Sequence, residues 1–323
     1  MNGRTKFGSS IFVLAEFAIH LLKRLTTMLH ISDIEKRLKI NPEPDEVREM
    51  RETLLRHSEN LEFVEEGHKY YLHKGGTAKE MTSVTTMCHE FEPEVDWETV
   101  LVNKSRRLGI DKEELRRTWR ENNITSTSNG TLTHLFGEAY MHFFMGNIDL
   151  IPGVILKMQY EDGFLIPYGG KQRAIAKYYE DMFNVENFFP IAPEIRICID
   201  GDDNPFGIKR NISGTVDAPF AFKGRDGKWK VSIRDWKTNK SLEDDWNRKH
   251  WNTLLPPFNT VDFINEPKSV YTLQLSIYQL GFEQHGYEVA DRKLLWLLED
   301  GEYQKIDTKD VSRTLIERFM TPR

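Results

Sequence analysis

The stretch Lys209–Lys237, KRNISGTVDAPFAFKGRDGKWKVSIRDWK, carries the turn chemistry that decides the fold. Gly224-Arg225-Asp226-Gly227 fits a three-residue hairpin loop with Gly227 in the left-handed position of a bulge. In that register Gly224 pairs with Lys228, and Asp217 falls directly opposite Asp235. Strand residues two apart share a face, so Val231, Ile233, Asp235 and Lys237 line one side and Lys230, Ser232, Arg234 and Trp236 the other. Asp235 and Lys237 therefore continue an apolar, core-facing row, which is costly unless something ionic compensates them. Two carboxylates facing each other across a hairpin, Cβ atoms about 5 Å apart, repel unless a proton or a divalent cation lies between them. Oxygen ligands of this kind suit Mg²⁺ or Mn²⁺.

Outward from this hairpin, β-branched and aromatic residues predict three consecutive strands, Glu194 to Ile199, Lys209 to Phe222 and Lys228 to Trp236. Before them, helical patterns run near Asp45 to His57, Trp97 to Leu108, Asp111 to Asn122, Leu132 to Met145 and Lys171 to Phe183, with a capping-box spacing at Ser32–Glu35. The Ser, Thr, Asn and Gly-rich stretch Asn123 to Thr133 predicts a loop that delivers the chain into the Leu132 helix. Phe63 to Leu72 reads as a short hairpin. After the meander come a helix from Ser269 to Gln284, strands at Lys293–Leu298 and Tyr303–Ile306, and a helix from Asp310 to Met320. The order describes an α+β fold with a mixed β-sheet. The expected division is an N-terminal helical extension, residues 1–60, and one main domain, residues 61–323.

The 323 residues are 39% hydrophobic and 11% aromatic, enough for a sizeable core, which excludes collagen-like and wholly disordered classes. A net charge of −6 argues against a protein living on bulk phosphate affinity, although not against a locally basic groove. Only Cys88 and Cys198 are present, so neither a disulfide framework nor a four-cysteine site is available, and a reducing, cytoplasmic location is expected. Ile11 to Leu22 is apolar but is interrupted by Glu16 and His20; it reads as an amphipathic helix, or a leader upstream of a start at Met28, too short to span a bilayer. No membrane partner is expected.

Asp-x-Lys alone is a weak signal, because the chain has four: Asp226/Lys228, Asp235/Lys237, Asp291/Lys293 and Asp307/Lys309. Joint, ordered occurrence with other motifs singles out the second. His134 stands in Gly-Thr-Leu-Thr-His, Glu194 in Ala-Pro-Glu-Ile, Asp217 in Gly-Thr-Val-Asp, then come Asp235-Trp-Lys-Thr238 and Gln274-Leu-Ser-Ile-Tyr278. From about Tyr70 to Ile306 the chain thereby resembles the PD-(D/E)XK nuclease superfamily, in its RecB-like exonuclease branch with phage and viral relatives. Ser83-Val84-Thr85 after Tyr70-Tyr71 resembles the entry to such exonucleases. The superfamily's proline is absent before Asp217, where Val216 stands, and the cysteine quartet of its iron-sulfur members is missing.

The resemblance implies a restriction-endonuclease-like core of order αβββαβ, with helical additions, and a metal-dependent DNA nuclease of repair, recombination or phage genome processing. It implies that His134, Asp217 and Asp235 bind Mg²⁺ (or Mn²⁺) with the Trp236 carbonyl, and that Glu194 lies near a second, weaker ion. Lys237 would touch the water or the scissile phosphate, and no iron-sulfur cluster is expected. Gln274 and Tyr278, four apart on one helix face, would orient substrate, as would Thr238. Glu138, one turn beyond His134, is a candidate for supporting the site or a second ion. The implied partners are single- or double-stranded DNA ends, with replication or recombination proteins besides. Alternatives are a catalytically silent nucleic-acid-binding or assembly module of the same fold, an endonuclease, or an RNA-directed enzyme.

Taken singly, each of these residues has a plainer reading: a hydrogen-bonded helix histidine, a surface ion pair, a solvated strand start. Arg106, Arg107, Arg116, Arg117 and Arg120, interleaved with Trp97 and Trp119, read either as a phosphate grip with base-stacking rings or as a solvated helix face.

Overall fold

The structure, a computed structural model, describes residues 29–67, 69–154 and 169–320. The apolar stretch 11–22 and Met28 lie outside the described residues.

In chain order the elements are α1 (Ile31–Ile40), α2 (Asp45–Glu59), β1 (Leu61–Val64), β2 (Lys69–Lys74), β3 (Thr77–Ser83), α3 (Val84–His89), α4 (Trp97–Leu108), α5 (Lys112–Met145) and α6 (Gly170–Met182). There follow β4 (Phe188–Pro190), β5 (Ile195–Ile199), β6 (Ile212–Val216), β7 (Ala218–Lys223), β8 (Trp229–Lys237), α7 (Asp245–His250), α8 (Pro267–Glu283), β9 (Val289–Leu297), β10 (Tyr303–Asp307) and α9 (Ser312–Phe319). The fold is α+β, with two mixed five-stranded sheets ordered β1-β2-β3-β6-β5 and β10-β9-β8-β7-β4. β3/β6 and β8/β9 are parallel pairs; the other neighbours are antiparallel.

The hairpin register follows from the turn. Gly227 has φ +78°, the Gly224 N–H donates to the Lys228 carbonyl at 2.8 Å, and Ala218 pairs with Arg234, so Asp217 and Asp235 are the next positions outward on the two strands. The single strand expected from Lys209 to Phe222 is instead two. The chain bends at Asp217, leaving β6, which pairs with β5, and entering β7, which pairs with β8.

The expected loop at Asn123–Thr133 is the middle of α5, a continuous helix of 34 residues. Its stops lie only at the ends: Asp111 Oδ1 accepts the N–H groups of Glu113 and Glu114, and Gly146, at φ +81°, terminates it. In between, hydroxyls fold back onto their own helix, Thr133 Oγ1 donating to the Asn129 carbonyl at 2.7 Å and Thr118 Oγ1 to that of Glu114 at 3.0 Å. The apolar half, Leu132 to Phe144, is anchored in the core. The capping box expected at Ser32–Glu35 also shifts: Ser32 is inside α1, and the His30 N–H donates to Asp33 Oδ2 at 3.0 Å.

β8 is buried from Val231 onward because cores lie on both of its faces. Val231 and Ile233 join Leu273, Ile277 and Leu280 of α8, together with Val47, Met50 and Leu54 of α2, in one core. Trp236 joins Phe136 and Tyr140 of α5 and Tyr178 and Tyr179 of α6 in the other. Among the described residues no helix is long and apolar enough to cross a membrane.

Candidate active site

Three motifs meet where β8 ends. α5 crosses that end closely because it has glycines there: a Cβ at Gly137 would fall 2.9 Å from Trp236 Nε1, and one at Gly130 would lie 3.5 Å from Thr238 Oγ1. This brings His134, between them on α5, to Asp217, with Nδ1 3.4 Å from Oδ1. The other oxygen, Oδ2, accepts the Trp236 N–H at 2.8 Å, so both oxygens of the buried carboxylate are engaged. On the opposite side the Glu194 N–H donates to the Asp217 carbonyl at 3.0 Å. Glu194 itself is held at φ +49°, a left-handed conformation uncommon for a side-chain-bearing residue and typical of functional sites.

His134, Glu194 and Asp217 each offer one ligand atom, and the three atoms lie within 4.8 Å of one another. Asp235 stands outside this triad, with Oδ2 2.5 Å from Lys237 Nζ. Lys237 also donates to Gln274 Oε1 at 3.2 Å and sits 3.9 Å above the Tyr271 ring, while Gln274 Nε2 donates to the Tyr278 hydroxyl at 2.8 Å.

Across the cluster burial is opposed by neighbouring opposite charge and, at Glu194, reinforced by like charge. Burial first, then the Asp217 charge, pushes the Glu194 carboxyl well above its ordinary range. Burial raises Asp235 to about 6 against the pull of Lys237. For Asp217 burial also acts upward, but the charges of His134 and Lys237 and the Trp236 amide outweigh it and hold the group low. His134 is the mirror case: burial acts to lower it, and Asp217 overrides that and lifts it to about 9. Burial would discharge Lys237, yet Asp235 and then Tyr271 keep its ammonium charged.

No protein-family model matches the chain, and no curated protein matches it.

Of the residues singled out in the sequence, the structure brings His134, Glu194 and Asp217 into one triad, and Asp235, Lys237, Gln274 and Tyr278 into a chain of contacts beside it. Trp236 links the two through its amide, its ring buried edge-on against Tyr178 at 5.5 Å. Glu138 is buried one turn beyond His134, and its charge is among those raising Glu194. The Thr238 carbonyl accepts Lys171 Nζ at 2.8 Å, which fixes the end of the strand. Sequence reasoning missed Tyr271 and Lys171. Tyr271 was findable, because it lies three residues before Gln274 on the α8 face that carries Tyr278. Lys171 carries no motif.

The role of Gly214 in Gly-Thr-Val-Asp is steric. A Cβ there would come within 2.9 Å of both Tyr278 Cε1 and Val84 Cγ2, so the glycine lets α8 and α3 close on β6.

Proposed function

We propose that this chain is a divalent-metal-dependent nuclease that hydrolyses phosphodiester bonds in DNA, working from ends, on a restriction-endonuclease-like core. The order α5, β5, β6/β7, β8, α8, β9 supports the αβββαβ arrangement. The observation that carries the reading is the convergence of His134, Glu194 and Asp217 within 4.8 Å, next to a charged, immobilised Lys237.

The carboxylates of Glu194 and Asp217 suit a hard, oxygen-preferring cation such as Mg²⁺ or Mn²⁺, and His134, once its proton is displaced by the ion, adds one nitrogen donor. Glu194 Oε1 is buried with no hydrogen-bond partner, beside a second carboxylate, which is the electrostatic deficit a cation removes. His134, Asp217 and Glu194 would hold it, with Asp235 and the Trp236 carbonyl the further oxygen donors at the same strand end. When bound, such an ion supplies charge neutralisation of phosphate oxygens and a lowered pKa for bound water.

The chain's own residues do the rest. His134 and the Trp236 amide fix the plane of the Asp217 carboxylate. Lys237, steadied by Asp235, Gln274 and the Tyr271 face, presents a fixed positive charge where negative charge accumulates as the phosphodiester is attacked. Tyr278 holds Gln274 in that orientation.

The test is end-labelled linear DNA against closed circular DNA, with Mg²⁺ and Mn²⁺ compared. Wild-type protein should shorten the linear strand from its ends and leave the circle intact. Asp217→Asn and Lys237→Met, with circular dichroism unchanged, should each slow cleavage at least about 100-fold. Wild-type protein that cuts no DNA under either ion would sink the reading; cutting of the circle would make it an endonuclease.

A further inference from the structure

Between Glu121 and His134, α5 carries no charged side chain, and most of the residues there, Asn123, Thr125, Ser126 and Thr127 among them, form helices poorly. Residues 120 to 127 are all exposed, so the composition does not serve the core. At about 100° per residue, Thr127, Asn123 and Arg120 all fall within about 40° of the His134 direction, on one stripe. Along the axis they lie about 10, 16 and 21 Å from His134. Farther along the stripe, Arg116 and Lys112 are tied to Glu98 at 2.7 and 2.6 Å, whereas Arg120 has no carboxylate partner among the described residues.

We propose that the stripe Thr127–Asn123–Arg120 is a track for one polynucleotide strand, its hydroxyl, amide and guanidinium donors holding successive phosphates as the strand runs along α5 to the His134 site. The inference rests on the nuclease reading of that site. Two observations identify the occupant. The stripe is continuous with the proposed cleavage centre, and each of its three side chains has a donor to offer, with the positive charge of Arg120 and no negative charge among them, which complements a phosphate backbone. At about 3.4 Å per nucleotide of a B-form strand, 21 Å accommodates about six nucleotides.

The experiment uses full-length protein carrying Asp235→Asn to suppress cleavage, and fluorescein-labelled DNA of about 12 nucleotides, single-stranded in one arm and duplex in the other. Adding Arg120→Ala, Asn123→Ala and Thr127→Ala together should weaken binding about tenfold, and the slope of log affinity against log salt should fall by about 0.7 for the single strand or 0.9 for the duplex, one cation's worth. With Asp235 restored, hydrolysis of a p-nitrophenyl mononucleotide, too short to reach Asn123, should match that of the protein without the three changes. Unchanged affinity for both probes overturns the track, even if the protein is an active nuclease. Equal loss on the mononucleotide also overturns it, because the changes would then be disturbing the site. Weakened binding in a protein that cleaves nothing would uphold the track and sink the nuclease reading.

Discussion

Glu194 combines two unfavourable conditions: a backbone at φ +49° and a buried carboxyl oxygen without a hydrogen bond, beside Asp217. Each costs on the order of 1 kcal/mol or more in a protein without metal. Glu194→Gly removes both, and the greater freedom of a glycine in the unfolded chain takes back up to about 1 kcal/mol, so thermal denaturation without divalent ions should show a net gain of about 1 kcal/mol, with nuclease activity lost. A variant less stable than wild type would mean that the surroundings had already relieved the strain. The register of the hairpin, which ends at Ala218 opposite Arg234 and so puts Asp217 and Asp235 at the next positions, was legible because Gly227 fixed the turn and the strand period did the rest. Glu194 as a member of the triad, in place of Asp235, was not. That depends on a left-handed residue and on a lysine drawing Asp235 aside, and neither leaves a mark in residue spacing.

α5 shows where local propensity misleads. Its true ends, Asp111 and Gly146, carry ordinary stop signals, and Gly146 was read correctly. The run of Ser, Thr, Asn and Gly between them mimics a loop, yet the helix passes through because its later half is anchored among Phe136, Tyr140 and Phe144. Ser126→Pro distinguishes the two readings. In a helix interior it costs about 3 kcal/mol and should visibly lower the far-ultraviolet helical signal, whereas in a loop it would leave the spectrum unchanged. The division of one expected strand into β6 and β7 was likewise hidden, since both halves have the same β-rich composition and only the change of pairing partner separates them.

The α+β class and most element positions were readable because β8 is central and its alternation is strong; that both of its faces are buried was not, since Ser232 and Arg234 look solvated in sequence. Away from the site, the ends of α2 and α8 meet through stacked rings of His57 and His285, with centroids 3.8 Å apart. Burial, and then His57, depresses His285 to about 4, and burial lowers His57 as well. An unfolded chain takes up these protons near pH 6.5, so between about 6.5 and 4 it binds more protons than the native state, and stability falls as pH drops through that window. His285→Phe keeps a ring in place without the charge. Thermal midpoints measured from neutral pH downward should decline less steeply for this variant than for wild type, and parallel curves would show that the pair is not responsible. The bend at Asp217 has a broader consequence. One residue answers to both ladders, its carbonyl to the Glu194 amide beside β5 and its side chain to the Trp236 amide of β8, so the place where the two sheets are joined is also where the chemistry is assembled.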